Sequence, residues 1–159
     1  MDRIAFISQL MLQKRATTEA YGQYISALRE YLPGSNLYMR EVHFIAAASP
    51  TQAISIAQIA HKMEVTPGAV SQIAARLEKK GYITRCRAPG DRRQILVSLT
   101  EDGRRLYAWH EAYDRRCMEE FAQHMADFTD EQLEKLMIYE KLCWDAFVQP
   151  HHFPDLLEK

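Results

Sequence analysis

The sequence predicts a mostly α-helical fold with a small β-hairpin wing: a winged helix-turn-helix joined to a helical dimerisation stalk. Three observations predict it. Residues 55–80 hold two short helices with start and stop signals and only a few residues between them. Residues 82–99 change to alternating periodicity around a turn-forming run. On either side, apolar residues recur at helical spacing over stretches too long for a small head to cover.

Taken in chain order, Ile4, Ile7, Met11, Tyr21, Ile25, Leu28 and Leu32 follow steps of three and four, interrupted at Lys14 and Thr18. This predicts a long first helix ending near Pro33-Gly34. A second helix is expected over residues 38–48, with Val42 and Ile45 inward. The third starts at Ser55-Ile56-Ala57-Gln58, where serine and glutamine can cap each other's amides, and Ile54 and Ile59 form a hydrophobic staple. The fourth starts at Thr66-Pro67, a hydroxyl cap followed by a residue with no amide hydrogen to satisfy. Val65 and Val70 repeat the staple. Gly81 stops this helix, with Tyr82 set to meet Leu77 in a Schellman ending.

Two strands follow, over residues 82–87 and 94–99, with Ile95, Val97 and Leu99 on one face. Ala88-Pro89-Gly90-Asp91-Arg92-Arg93 is the expected tip between them. Thr100 caps a long helix with Glu101 and Asp102 at its positive end and a stripe of Leu106, His110, Tyr113, Cys117 and Phe121. It is expected to end around Phe128. Thr129 and Gln132 form another capping box, stapled by Phe128 and Leu133, and open a last helix through Leu136, Met137, Trp144 and Phe147. Pro150 and Pro154 mark an irregular tail.

At 159 residues the chain fits a single domain, 1–159, divided into a winged lobe (37–100), dimerisation helices (1–34 and 101–148) and a tail (149–159). With 47% apolar and 26% charged residues it has the composition of a globular protein. No membrane span or secretory leader is evident. Three widely spaced cysteines, Cys86, Cys117 and Cys143, are consistent with a reducing cytoplasm. Between Arg76 and Leu99 seven cations face two acids, a local charge of +5 in a chain of net charge −1. Positive charge concentrated on a helix–hairpin unit is an electrostatic footprint for phosphate. The surplus apolar stripes point to a second copy, which would place two recognition helices about one DNA turn apart on a palindromic site. An enzyme is not expected, since no nucleophile elbow, phosphate-cradling loop or metalloprotease helix occurs. A winged-helix module that binds protein instead of DNA would carry a neutral wing and an apolar helix face; here both are polar or basic.

The chain resembles the multiple-antibiotic-resistance regulator (MarR) family of bacterial transcription factors. The resemblance lies in Thr66-Pro67-Gly68-Ala69-Val70-Ser71, in Leu77-Glu78-Lys79-Lys80-Gly81-Tyr82-Ile83, in Asp91-Arg92-Arg93 and in Val97-Ser98-Leu99-Thr100-Glu101-Asp102-Gly103, in that order. It implies a homodimeric, signal-responsive regulator, usually a repressor, that binds double-stranded DNA at a palindromic operator. Geometry and resemblance together place Thr66, Pro67, Gly68, Ser71 and Gln72 on the groove-facing turns of the recognition helix. Gln72 suits a bidentate contact to adenine, and Arg76 a phosphate or guanine. The resemblance further implies that Asp91 orients Arg93 for the minor groove, with Arg92 near the phosphates.

The signal is less determined. Tyr24, Tyr31, Tyr38, His43, His110 and Tyr113 are candidate linings of a crevice for a small lipophilic or phenolic ligand. Glu41, His43 and His110 have residue types that suit zinc, but Glu41 and His43 lie two apart on a helix and point in different directions, so neither metal nor cofactor is expected. A metal- or thiol-sensing regulator of the same fold is the alternative. Cys117 and Cys143 read as small hydrophobes, and Cys86, between Arg85 and Arg87, as a passive wing residue. The stretch Glu41-Val42-His43-Phe44-Ile45 with Lys79-Lys80-Gly81-Tyr82-Ile83 also resembles the branch that represses fatty-acid synthesis genes, which implies an acylated carrier protein as partner.

Overall fold

The structure, a computed structural model, describes residues 2–148 apart from the side chains of Arg92, Phe147 and Val148. The expected tail at 149–159 lies outside the described residues. The chain divides into two compact units, Met1–Arg115 and Arg116–Lys159.

Helix α1 (Arg3–Ser26) is capped by Asp2, whose carboxylate accepts from the amide of Ile4 at 3.1 Å. It ends sooner than its periodicity predicts. Strand β1 (Leu28–Glu30) instead pairs antiparallel with β2 (Asn36–Tyr38). The loop's own side chains favour this turn over another helical turn. The Glu30 carboxylate accepts from Gly34 N–H at 2.6 Å, and buried Ser35 accepts from the amides of Tyr31 and Leu32. Gly34 takes the left-handed φ of 81° that the turn needs.

Helix α2 (Met39–Ala47) leads through β3 (Ile54–Ser55) into α3 (Ile56–Met63) and α4 (Pro67–Lys79). The caps form as the sequence predicts. Ser55 Oγ accepts from Gln58 N–H, and Gln58 Oε1 accepts from Ser55 N–H at 2.8 Å. Ile54 and Ile59 are both buried beneath that box. Glu64, at φ 54°, adopts the left-handed conformation that turns α3 into α4. Helix α4 closes with Tyr82 N–H on Leu77 O and Gly81 N–H on Glu78 O, both 3.0 Å, the two bonds of a Schellman motif.

Strand β4 (Ile83–Ala88) and β5 (Asp91–Leu99) form the wing, and β3 pairs with the far edge of β5, giving the order β3-β5-β4. The tip is tighter than expected. Ala88 already pairs with Asp91, leaving Pro89-Gly90 as the turn, with Gly90 at φ 85° and a bulge after Arg87.

Helix α5 (Glu101–His124) starts at the wing root. Thr100 Oγ1 accepts from Gly103 N–H at 3.1 Å and donates to Gly81 O at 2.7 Å. Gly103 sits so close to the wing root that a Cβ on it would lie 2.1 Å from the carbonyl oxygen of Tyr82. Helix α5 ends at His124, a turn before the expected Phe128. Thr129 and Gln132 then cap α6 (Asp130–Val148) reciprocally, as predicted. The core of the first unit gathers Leu37, Val42, Phe44, Ile45, Ile59, Val70, Leu77, Ile83, Val97 and Leu106. It lies under α2–α4, the sheet and the first turns of α5, and it holds the outer face of α4 in a fixed orientation.

Candidate nucleic-acid interface

Helix α4 is half buried by design of its sequence. Val70, Ile73, Ala74 and Leu77 are buried, and Thr66, Pro67, Gly68, Ser71, Gln72 and Arg76 are all exposed. At 100° per residue Gly68, Gln72 and Lys79 stand opposite the buried stripe, so they lead the surface outward. Thr66 caps the helix by accepting from Ala69 N–H at 3.3 Å. Ser71 Oγ donates to Pro67 O at 2.8 Å, which leaves its oxygen free to accept. A Cβ at Gly68 would meet nothing within 4 Å, so nothing inside the protein requires a glycine there.

Each flank of α4 is held by one carboxylate. On the wing side, Glu78 accepts from the Arg85 backbone amide at 3.1 Å and from Arg85 Nε at 2.9 Å and Nη2 at 2.5 Å. These hydrogen bonds hold the Glu78 carboxyl below the usual carboxylate range. On the α2 side, buried Glu41 accepts from Tyr38 N–H at 3.0 Å and from Lys80 Nζ at 2.7 Å, and Arg76 Nε stands 3.5 Å away. Sequence reasoning missed both clamps, because each joins residues that only the fold brings together. The spacing of Arg76 and Lys80, one helical turn apart opposite a lone glutamate, was the available signal.

On the wing, Asp91 and Arg93 are exposed, and the Asp91 carboxylate accepts from the backbone amide of Arg93 at 2.9 Å. The aspartate thus contacts the main chain of Arg93, the residue that the resemblance implies it orients. Arg92 lies in β5; the placement expected for its side chain lies outside the described residues. Pro67 and Ser71 of α4 and Arg93 of the wing line one cavity of about 250 Å³, so α4 and the wing meet at a single surface.

The effector candidates separate. Tyr31 packs edge-on to Trp109 at 5.4 Å, Trp109 stacks on Tyr113 at 5.1 Å, and Arg29 lies over Tyr24 at 4.2 Å. Tyr38 is exposed beneath Lys80. His43 and His110 meet edge to face at 5.7 Å, and His110 Nδ1 lies 3.2 Å from Asp114 Oδ2. Both histidines line a cavity of about 440 Å³ with Lys62 and Met63. Burial, reinforced by His110, lowers the pKa of His43. Glu41 faces α4 instead, so Glu41, His43 and His110 do not converge. No cluster of three or more His, Cys, Asp or Glu able to hold a metal occurs among the described residues. Cys143 is buried, Cys117 half-buried and Cys86 exposed on the wing.

Residues 37–95, the head and most of the wing, match the model of the MarR family. An HTH-type transcriptional regulator of Bacillus cereus is 31% identical over 114 residues, 70% of this chain and 71% of that protein. The chain belongs to the MarR family. It spans 57% of the HTH-type regulator YhjH of Bacillus subtilis, with 26% identity over 99 residues, which are 62% of this chain. The zinc-responsive MarR family member ZitR of Lactococcus lactis superposes with a TM-score of 0.72 at 21% identity, over 89% of this chain and 99% of ZitR. ZitR in complex with DNA gives 0.70 at 22% identity, over 92% and 99%. The likeness in fold to ZitR thus covers more of the chain than the segment 37–95 that the family model matches. No described helix is long and apolar enough to cross a membrane.

Proposed function

We propose that this MarR-family chain is a cytoplasmic, homodimeric transcriptional regulator, most simply a repressor, that binds a palindromic operator in duplex DNA. Helix α4 enters the major groove with Gln72 and Ser71 toward base edges and Thr66, Pro67 and Gly68 toward the backbone, and the wing places Arg93 in the minor groove. The observation that carries this reading is the shared surface of α4 and the wing. Its polar residues project from a helix locked on both flanks, and Arg93 opens onto the same cavity as Pro67 and Ser71. The open space around Gly68 fits close approach by a groove wall, since the protein itself makes no use of the missing side chain. Exposed Ile4, Ile7 and Leu12 on α1 and Leu136, Met137 and Trp144 on α6 supply the apolar area for a second copy.

The effector enters beside His43 and His110, whose cavity is lined by α2, the end of α3 and α5. A ligand there acts only through unequal affinity for DNA-competent and DNA-incompetent arrangements of the two heads. The deciding experiment is selection of duplex fragments from random or genomic DNA with the purified chain. A palindromic consensus with half-sites about one helical turn apart is expected. Recovery of fragments without any common sequence would overturn the reading.

A further inference from the structure

Glu41, on α2, is buried to a side-chain exposure of 1% and faces two cations, Arg76 of α4 and Lys80 at its C-cap. Its two oxygens are used differently. Oε2 accepts from the Tyr38 amide and from Lys80 Nζ, and Lys80 also donates to Asn36 O at 2.9 Å. Among the described residues Oε1 accepts no hydrogen bond, and only Arg76 Nε lies within ion-pair distance of it, at 3.5 Å. Lys80 is thus satisfied by two protein acceptors and already compensates the buried carboxylate. Arg76 is surplus: the cluster carries two positive charges against one negative, and the Arg76 side chain is 54% exposed.

A guanidinium has two usable edges, and here the Nε edge faces the carboxylate, which leaves the terminal Nη groups for another acceptor. Arg76 stands on the α2 flank of α4, beside Gln72's outward line and not on it. A body seated on that line presents its rim to Arg76. The acceptor that suits a forked, charge-assisted donor at the rim of a major groove is a backbone phosphate. We propose that Glu41 is a positioning residue that braces Arg76 for one DNA phosphate per half-site, with Lys80 holding the brace in place. The inference rests on the DNA-binding reading above and assigns Arg76 to phosphate, not to guanine.

The test is a set of anisotropy titrations of the full-length chain on a duplex carrying the selected site, repeated over a salt series. Arg76→Gln is expected to weaken binding about tenfold or more and to make the salt dependence shallower by about 0.9 per half-site. Arg76→Lys keeps the charge and the salt slope but loses the braced fork, and binds severalfold more weakly. Glu41→Gln also weakens binding with the slope unchanged, and in an Arg76→Gln background it has no further effect. That lack of additivity separates bracing from a general structural role. Additive losses, or an Arg76→Lys chain that binds like the wild type, would overturn the inference. If thermal melts show Glu41→Gln unfolded, the Arg76→Lys titration decides alone. Normal selected-site binding with additive losses removes only this inference, whereas a wild-type chain that retains no duplex removes the DNA-binding reading as well.

Discussion

The head at residues 37–106 and the end helices α1 and α6 treat their apolar residues in opposite ways. In the head, Phe44, Ile59, Leu77 and Leu106 are fully buried within one chain. On α1 no residue is buried, and Ile4 is 74% exposed. On α6 only Cys143 is buried among the described side chains, while Met137 is 75% and Trp144 68% exposed. Both kinds of segment have apolar residues at helical spacing. The difference lies in how many neighbours each has within reach. The head is built of short elements joined by tight turns, so each apolar face finds another a few residues away. Helix α1 is a single element of 24 residues, and none of them is buried by the described residues. These exposed apolar residues are the ones that the proposed second copy would cover.

If the end helices are covered by a second copy, charging them has the largest effect. Trp144→Asp and Leu136→Asp are expected to give monomers by light scattering at micromolar concentration. Loss of paired half-sites would remove most of the roughly 4–10 kcal/mol that separates specific from non-specific DNA binding. A monomer with full operator affinity would break the comparison. In the head, Phe44→Ala should cost about 3–5 kcal/mol in denaturant unfolding, as for a large side chain removed from a close-packed core. Phe121→Ala, at an exposed site on α5, should cost far less in the same measurement unless a partner covers it.

Substitutions on the reading surface should leave both regions folded. Gln72→Ala is expected to cost about 1–3 kcal/mol in operator affinity and to relax base preference at one position per half-site. Arg93→Ala and Asp91→Ala should weaken binding with unchanged melting curves. The smallest effect belongs to pH. The folded state lowers the pKa of His43, so it binds fewer protons there than the unfolded chain does. The contribution is therefore fully present above the unfolded pKa, near 6.5, and is lost as pH falls through the folded value. Melting curves between about pH 7.5 and 5 should fall less steeply for His43→Gln than for the wild type; parallel curves would show that this histidine contributes nothing.

What could be read from the sequence follows the range of the interactions. The caps at Ser55, Thr66, Thr100 and Thr129 and the ending at Gly81 were legible because every donor and acceptor lies within a few residues. The alternation of Ile95, Val97 and Leu99 gave away the wing in the same manner. The β1–β2 hairpin was not legible, since Ile25, Leu28 and Leu32 keep helical spacing across it, and only the loop's side-chain hydrogen bonds reverse the outcome. Strand β3 is two residues long and has no periodicity to read. Of the surface proposed for DNA, the exposed face of α4 followed from its buried stripe. The clamps at Glu41 and Glu78 did not, because Lys80 lies 39 residues from Glu41, and Arg85 reaches Glu78 only after the chain has reversed.

The contact at Gly103 sets a limit on how this chain can vary. Most positions accept some exchange of size because a neighbouring side chain can swing aside. Here the obstacle is the carbonyl oxygen of Tyr82, backbone that also accepts the amide of Thr100 at 3.0 Å, and it has nowhere to go without parting the wing from α5. Glycine is the smallest residue, so every possible exchange enlarges it. Gly68 has the same side chain and the opposite freedom, since an added methyl there meets only solvent until something docks. An alanine scan of the glycines would therefore sort them by the body each accommodates: at Gly103 another part of the same chain, and at Gly68 whatever comes from outside.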